Sequence, residues 1–418
     1  MAKIVKLLAR QILDSRGFPT VQADAVLSDG TSASASVPSG ASTGSFEAFE
    51  LRDGDTSEYN GKSVHQAVAN ITSILFPALS GIDASEQEKI DRVMLELDGT
   101  ENKSRLGANA ILAVSIAVAR AAADSQKIAL FEYLHSLSAS PSRVLTMPYG
   151  MFNVLNGGAH AANSSDFQEY MIIPMQAQSF ARRLQCAAET FQALKKLLQS
   201  KKLPTTVGDE GGFAPSVKNN VHGFDLLIEA IANAGYEPGK DVFLAADIAA
   251  SEFYKNGSYH LSKEKKSFKA KEFITYFDKL THSYPLVSLE DPLEENDFSG
   301  FAELTATLSR HVQIVGDDLY TTNPKRLQAG IEKKSTTAIL IKMNQIGTLT
   351  ETLQTIALAK QAGLKTIVSH RSGETEDSFI ADLAVGTNAD QVKFGSLTRS
   401  ERLAKYNRLL KIEEQLSK

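Results

Sequence analysis

From residue 242 to residue 395 the chain repeats one pattern: a short apolar run, a charged or reactive residue at its end, then an amphipathic stretch. The runs are "VFLAAD" (242–247), "PLVSLED" (285–291), "VQIVGDD" (312–318), "AILIKMN" (338–344), "KTIVSH" (365–370) and "DQVKFG" (390–395). Continuous apolar runs, unlike alternating ones, need cover on both faces, which is the condition of parallel strands interleaved with helices. "MFNVLNGG" (151–158) and "EYMIIPM" (169–175) supply two more candidates. Eight such strands close naturally into an α/β barrel of the TIM type. A doubly wound open sheet is the alternative, but no GxGxxG follows any run.

The run ends carry Asp247, Glu290 with Asp291, Asp317 with Asp318, Lys342, His370 with Arg371, and Lys393. In a barrel these positions open onto the C-terminal mouth, where residues distant in sequence converge. Any one of them could merely cap the next helix; their recurrence in register argues for a site. Carboxylates from successive strand ends, offering oxygen only, suit a hard divalent cation such as Mg²⁺. From each acidic pair the first member, Glu290 or Asp317, lies nearer the strand. Lys342 and Lys393 read in two ways. Either a neighbouring cation lowers a lysine's pKa and makes it a usable base, or each lysine neutralises a carboxylate. Arg371 and Ser372 follow a late strand, where barrels often bind phosphate.

The N-terminal portion differs. Val21, Ala23, Ala25 and Leu27, then Ala33, Ala35 and Val37, alternate about "SDG" as a hairpin with one buried face. Helical spacing follows at Val64–Leu75, Asp83–Leu97 and Arg105–Ala123. "SLSASPSRVLTMP" (136–148) lacks periodicity and reads as a linker, dividing the chain into a smaller α+β domain (1–138) and the barrel (139–418). "ANAILAVSIAVARAAAD" is interrupted by Arg120 and reads as a buried helix, and no membrane insertion or signal peptide is expected. A net charge of -5 with interspersed signs argues against direct nucleic-acid binding. The single cysteine, Cys186, fits a reducing cytoplasmic compartment.

Three loops remain. "VPSGASTG" (37–44) reads as a strand connection or a ligand lid, "NGGAHAANSSDFQEY" holds His160 and ends in Gln168 and Glu169, and "GDEGGFAP" sets Glu210 among glycines. Taken singly, a His or Glu in a loop is more often solvated than catalytic.

Together "ILDSRG" with "PT", "VPSGASTG", "NVLNGGAHA", "GDEGGFAP", "SLEDP", "GDDL", "KMNQIGT", "SHRSGETED" and "RSERLAKYN" resemble the enolase family, over nearly the whole chain. The resemblance implies a hydro-lyase of glycolysis and gluconeogenesis that interconverts 2-phosphoglycerate and phosphoenolpyruvate, on an irregular barrel behind a small α+β domain. It implies Lys342 as base and Glu210 as acid, with Glu169 and His160 beside them. Gln168, His370, Arg371, Ser372 and Lys393 fall on substrate positions. Asp247, Glu290, Asp317 and the lid's Ser42 fall on ligands of two Mg²⁺ ions, which stabilise an enediolate-like intermediate. A homodimer or higher homo-oligomer is also implied, as are the family's reported contacts with RNA-degrading complexes and host plasminogen and its surface or secreted pools. The short loops resemble the bacterial type. Phe18, Ala162 and Phe394 depart from the family's usual Asn, Asp and Thr, none at a catalytic position.

Overall fold

Residues 2–41, 44–138, 144–161 and 164–417 are described by the structure, a computed structural model, with His160 described in its backbone alone. The small domain opens with strands β1 (Ile4–Leu13), β2 (Pro19–Leu27) and β3 (Ser32–Ser36), antiparallel in the order β1-β2-β3. The hairpin register sets Ala23 opposite Ala35 and Ala25 opposite Ala33, and all the alternating apolar residues from Val21 to Val37 are buried. β1 was not legible as a strand. Only Ile4 and Leu7 of it are buried, and its polar residues break the alternation.

Helices α1 (His65–Asn70) and α2 (Phe76–Leu79) flank a π-helical turn, Ile71–Leu75; α3 (Gln87–Asp98), α4 (Ala108–Gln126) and α5 (Leu130–Leu137) follow. α3 starts later than its periodicity predicts because Asp83 Oδ1 accepts the N–H of Ser85 at 3.0 Å and its hydroxyl at 2.7 Å, forming a separate turn. α4 is long and apolar enough to cross a membrane, yet it is buried along most of its length, against β2 and β3 on one side. The expected junction at residues 138 and 139 borders the segment 139–143, which lies outside the described residues.

The second unit is built on a nine-stranded sheet. Its strands are β4 (Tyr149–Gly150), β5 (Phe152–Asn156), β6 (Glu169–Pro174), β7 (Val242–Asp247), then, after a small antiparallel sheet of β8 (Tyr254–Lys255), β9 (Ser258–Leu261) and β10 (Lys266–Phe268), β11 (Leu286–Glu290), β12 (Gln313–Gly316), β13 (Ala338–Ile341), β14 (Lys365–Ser369) and β15 (Gln391–Lys393). The order is β4-β15-β14-β13-β12-β11-β7-β6-β5. Its two ends, β4 and β5, are parted in the chain by Met151 alone, so the sheet wraps into a barrel. Between strands run α6 (Phe180–Ser200) and α7 (Asn220–Asn233), then α8 (Ala270–Ser283), α9 (Phe298–Leu308), α10 (Pro324–Lys333), α11 (Met343–Ile346), α12 (Leu349–Gln361) and α13 (Phe379–Gly386), with α14 (Ser400–Leu416) last.

The barrel departs from the all-parallel expectation at one strand. β6 runs antiparallel to both β5 and β7, since the connection from β5, whose described residues hold only a 3₁₀ turn at Gly158–His160, returns directly to the sheet rather than through an α-helix, and α6 and α7 then follow in succession. Period-2 alternation sorts the side chains. Met151, Met171, Ile173, Ala245, Val315, Ala338, Leu340 and Ile367 fill the interior, while the intervening residues join the larger core under the helices.

Cys186 lies buried on α6, and burial pushes its thiol up to about 11. The thiol therefore stays protonated below that pH, and thiolate is the nucleophile. The native protein should react only slowly with an aromatic disulfide reagent at pH 8 and fully once unfolded; equal rates would show that the cysteine is accessible.

Candidate active site

The alternation that fills the barrel continues past the strand ends and decides what stands at the mouth. Asn153 shares its row with Met151, Glu169 with Met171, Asp247 with Ala245, Asp317 with Val315 and Lys342 with Leu340. Because β6 is reversed, its first residue, Glu169, rather than its last, pairs with Asp247 at the C-terminal end of β7. The antiparallel strand thus brings a carboxylate to the mouth from its beginning.

Lys393, at the end of β15, lies across this ring. Its Nζ is 2.8 Å from Glu290 Oε1, 3.1 Å from Asp247 Oδ2 and 3.2 Å from Glu169 Oε1. Burial opposes its charge, but Asp247, Glu169 and Glu290 outweigh it and hold the ammonium well above the ordinary lysine value. Lys342 Nζ donates to Asp317 Oδ2. Of the two readings of Lys342, this arrangement matches the second, in which the lysine neutralises a carboxylate. Burial does favour its neutral form, as do Arg371 and Lys393, yet contact with Asp317 raises its pKa. Both lysines neutralise carboxylates in this arrangement.

The acidic pairs separate cleanly. Glu290 and Asp317 meet the lysines, whereas Asp291 turns its oxygens to the backbone, accepting from Asp317 N–H at 3.0 Å and Asp318 N–H at 2.7 Å. Gln168 Nε2 donates to Asp247 Oδ2 at 3.3 Å, and Gln345 Nε2 to Asp317 Oδ1 at 3.1 Å.

Glu210 forms a second focus. Its Oε2 accepts from Asn153 Nδ2 at 3.0 Å and lies 3.6 Å from His370 Nε2, and Ser372 Oγ donates to Oε1 at 3.4 Å. The glycines beside Glu210 are required by crowding: a Cβ on Gly211, at φ +89°, would stand 2.7 Å from Thr398 Oγ1. Arg371 reaches toward the small domain, donating to both oxygens of Glu47 at 2.9 and 3.0 Å and to Asn344 Oδ1 at 2.8 Å. Ser39 and Gly373 exchange backbone hydrogen bonds at 2.8 Å each, so the described part of the 37–44 loop rests on the loop after β14. Ser42, Ala162 and the His160 side chain lie outside the described residues. Phe18 takes Lys62 Nζ over its ring at 3.8 Å, and Phe394 packs within the core near Tyr406, so these two departures from the family pattern are absorbed by local packing.

Could these residues hold a metal? Among the described residues, two groups bring possible ligand atoms within 4.8 Å of one another: Glu169, Glu210 and His370, and Asp291, Asp317 and Asp318. Asp247 and Glu290 are drawn onto Lys393 instead, so the expected trio of Asp247, Glu290 and Asp317 does not form one of these groups. The donors still suit a hard cation. Apart from His370 they are carboxylate oxygens, the fully buried Glu290 Oε2 has no hydrogen-bond partner among the described residues, and the acids there outnumber the cations. The crowding shows in their protonation: burial and then Asp247 push Glu290 well above the carboxylate range, and burial and then Asp317 push Asp318 up to about 8.

Sequence reasoning missed Asn153, Glu47, Gln345 and Arg402. Asn153 carried the interior parity as a signal and Arg402 stood in the quoted "RSERLAKYN"; Glu47 has no local signal, because its partner is on the other domain.

Residues 4–134 match the family model described as "Enolase, N-terminal domain", and residues 144–418 that described as "Enolase, C-terminal TIM barrel domain". The two matches together cover both structural units. With its barrel, its small α+β domain and its acid-lined mouth, the chain belongs to the enolase family of hydro-lyases.

Proposed function

We propose that this protein catalyses the reversible dehydration of 2-phospho-D-glycerate to phosphoenolpyruvate. The observation that carries the reading is one mouth combining a lysine held by Asp317 with a separately held Glu210, beside the Arg371–Ser372 loop. The substrate's C2 proton is scarcely acidic, since its loss adds charge next to a carboxylate. Asp247, Glu290 and Asp317 would hold Mg²⁺, as the family resemblance implies together with Ser42 at a second ion, and the metal would supply Lewis-acid stabilisation of that charge.

Lys342 removes the C2 proton. It can be a neutral amine only when the charge of Asp317 is otherwise engaged, because Asp317 is what outweighs burial, Arg371 and Lys393. Glu210 protonates the leaving hydroxide, and its bonds from Asn153 and Ser372 fix the carboxyl's orientation. Lys393 keeps positive charge beside the developing negative charge. The planar fork of Arg371, which already spans both Glu47 oxygens, suits phosphate in the same way. Glu169 helps to hold Lys393, Gln168 bonds to Asp247, and His370 faces Glu210.

The test is the ultraviolet absorbance of phosphoenolpyruvate after adding 2-phosphoglycerate with and without Mg²⁺. A rise only with Mg²⁺ is expected; no rise overturns the reading. Asp317→Ala should remain folded but lose several kcal/mol of Mg²⁺ binding, about 10²-fold or more in affinity, by calorimetry. Undiminished affinity would remove Asp317 from the ligand set.

A further inference from the structure

Arg402, on α14, is the largest fully buried side chain of the described residues, and it lies behind the site rather than in it. One guanidinium nitrogen, Nη1, is 2.5 Å from His370 Nδ1 and donates to the Arg371 carbonyl at 2.5 Å. The other, Nη2, donates to the carbonyls of Ser372 at 2.6 Å and Asp209 at 3.1 Å. A single side chain therefore pins the residue before Glu210 and the residues on which His370, Arg371 and Ser372 stand. The backbone makes room for it: a Cβ on Gly395, at φ +84°, would stand 2.9 Å from Arg402 Cδ, from His370 Cε1 and from the Glu210 carbonyl.

Chemistry then fixes the ring. A guanidinium has donors and no acceptor, so the His370 nitrogen facing it must accept. A neutral imidazole that accepts at Nδ1 carries its proton on Nε2. That nitrogen is the one 3.6 Å from Glu210 Oε2. The charged ring is disfavoured as well, by burial first and by Arg402, Lys393 and Lys342 against the pull of Glu210, which leaves His370 well below the ordinary histidine value.

We propose that Arg402 is a positioning residue that locks His370 as the neutral Nε2–H tautomer aimed at Glu210, and so sets the acid side of the site. The role rests on the assignment of Glu210 as the acid. It predicts a defect confined to one half of the reaction: hydroxide loss, which needs Glu210, and not proton removal, which needs Lys342.

Two measurements decide it. Long-range ¹H–¹⁵N spectra of histidine-labelled protein, with His370 assigned by its loss in His370→Gln, should show a protonated Nε2 and a bare Nδ1 in the wild type without substrate. A protonated Nδ1 or a doubly protonated ring at neutral pH would overturn the proposal, whatever any variant does. Arg402→Lys should keep that tautomer, because an ammonium also can only donate. Arg402→Gln offers Nδ1 an acceptor and should lose the single tautomer, with product formation falling about 10²-fold while C2 exchange in deuterated water continues. A retained tautomer in Arg402→Gln, or exchange and product falling together, would reduce Arg402 to a packing residue. An inactive wild type would instead sink the dehydration reading, since the tautomer spectrum requires no substrate.

Discussion

In deuterated buffer with Mg²⁺, Lys342→Ala is expected to leave the C2 hydrogen of 2-phosphoglycerate unexchanged and to form no measurable phosphoenolpyruvate, whereas Glu210→Gln should exchange that hydrogen and still form none. The difference follows from where the two groups stand. Lys342 directly follows β13 and is bound to Asp317, while Glu210 lies on the loop between α6 and α7 and is bound to Asn153, with His370 beside it. Each is fixed by its own partners, so losing one leaves the other in place. Glutamine keeps the reach of Glu210 but has no proton of suitable acidity to give. General acid and base groups typically contribute about 10²–10⁴-fold, and both variants should lose turnover at the upper end of that range. Proton NMR of the substrate reads exchange and product in one experiment. Wild-type exchange by Lys342→Ala, or abolished exchange in Glu210→Gln, would reverse the two assignments.

A comparably large effect on stability is expected at the seam between the two domains. Arg120 of α4 reaches Asp377, beyond β14, through Nη2 to Oδ1 at 2.7 Å and Nη1 to Oδ2 at 3.0 Å, and Asp377 also accepts from Ser36 N–H at 3.0 Å and Phe379 N–H at 2.8 Å. Arg120→Ala strips the partner from a carboxylate that remains largely covered. Breaking such a buried pair from one side costs about 3 kcal/mol, the lower end of the usual range, since Arg120 keeps some solvent contact. Burial works against the Asp377 charge, but Arg120 and the backbone donors hold its pKa below the ordinary carboxylate value. A depressed folded pKa gives stability that is present above the unfolded value of about 4 and disappears as pH falls through the folded one. Urea unfolding of wild type and Asp377→Asn should therefore show a gap at pH 7 that narrows below about pH 4. A gap independent of pH would mean that the pair contributes packing and not charge.

The barrel strands were legible because burial on both faces writes itself as continuous apolar runs, and the mouth residues because they end those runs on the interior row. Strand direction was not. "EYMIIPM" reads the same whether it points up or down, and only the pairing of Glu169 with Asp247 reveals that β6 is reversed. Long-range polar partners were equally silent: nothing near Glu47 in the chain announces Arg371, and nothing near Arg402 announces His370. The lysines were legible as residues but not in their state, because Asp317 and the buried acids around Lys393 decide it in three dimensions. β1 escaped notice for the opposite reason, since an edge strand with few buried residues carries little pattern.

The adjacency of β4 and β15 has a consequence for synthesis. Tyr149 and Gly150 must wait for Gln391 and Val392 before they find their partners. A nascent chain that has already emitted every strand from β4 to β14 still holds an open sheet, with β14 exposed along one edge. Such edges are templates for pairing with other chains. Only when β15 emerges can the sheet close, and the same strand brings Lys393, the charge that the ring of acids requires. The interval between the appearance of β14 and that of β15 is thus the stage at which a stalled or truncated chain is most exposed to aggregation.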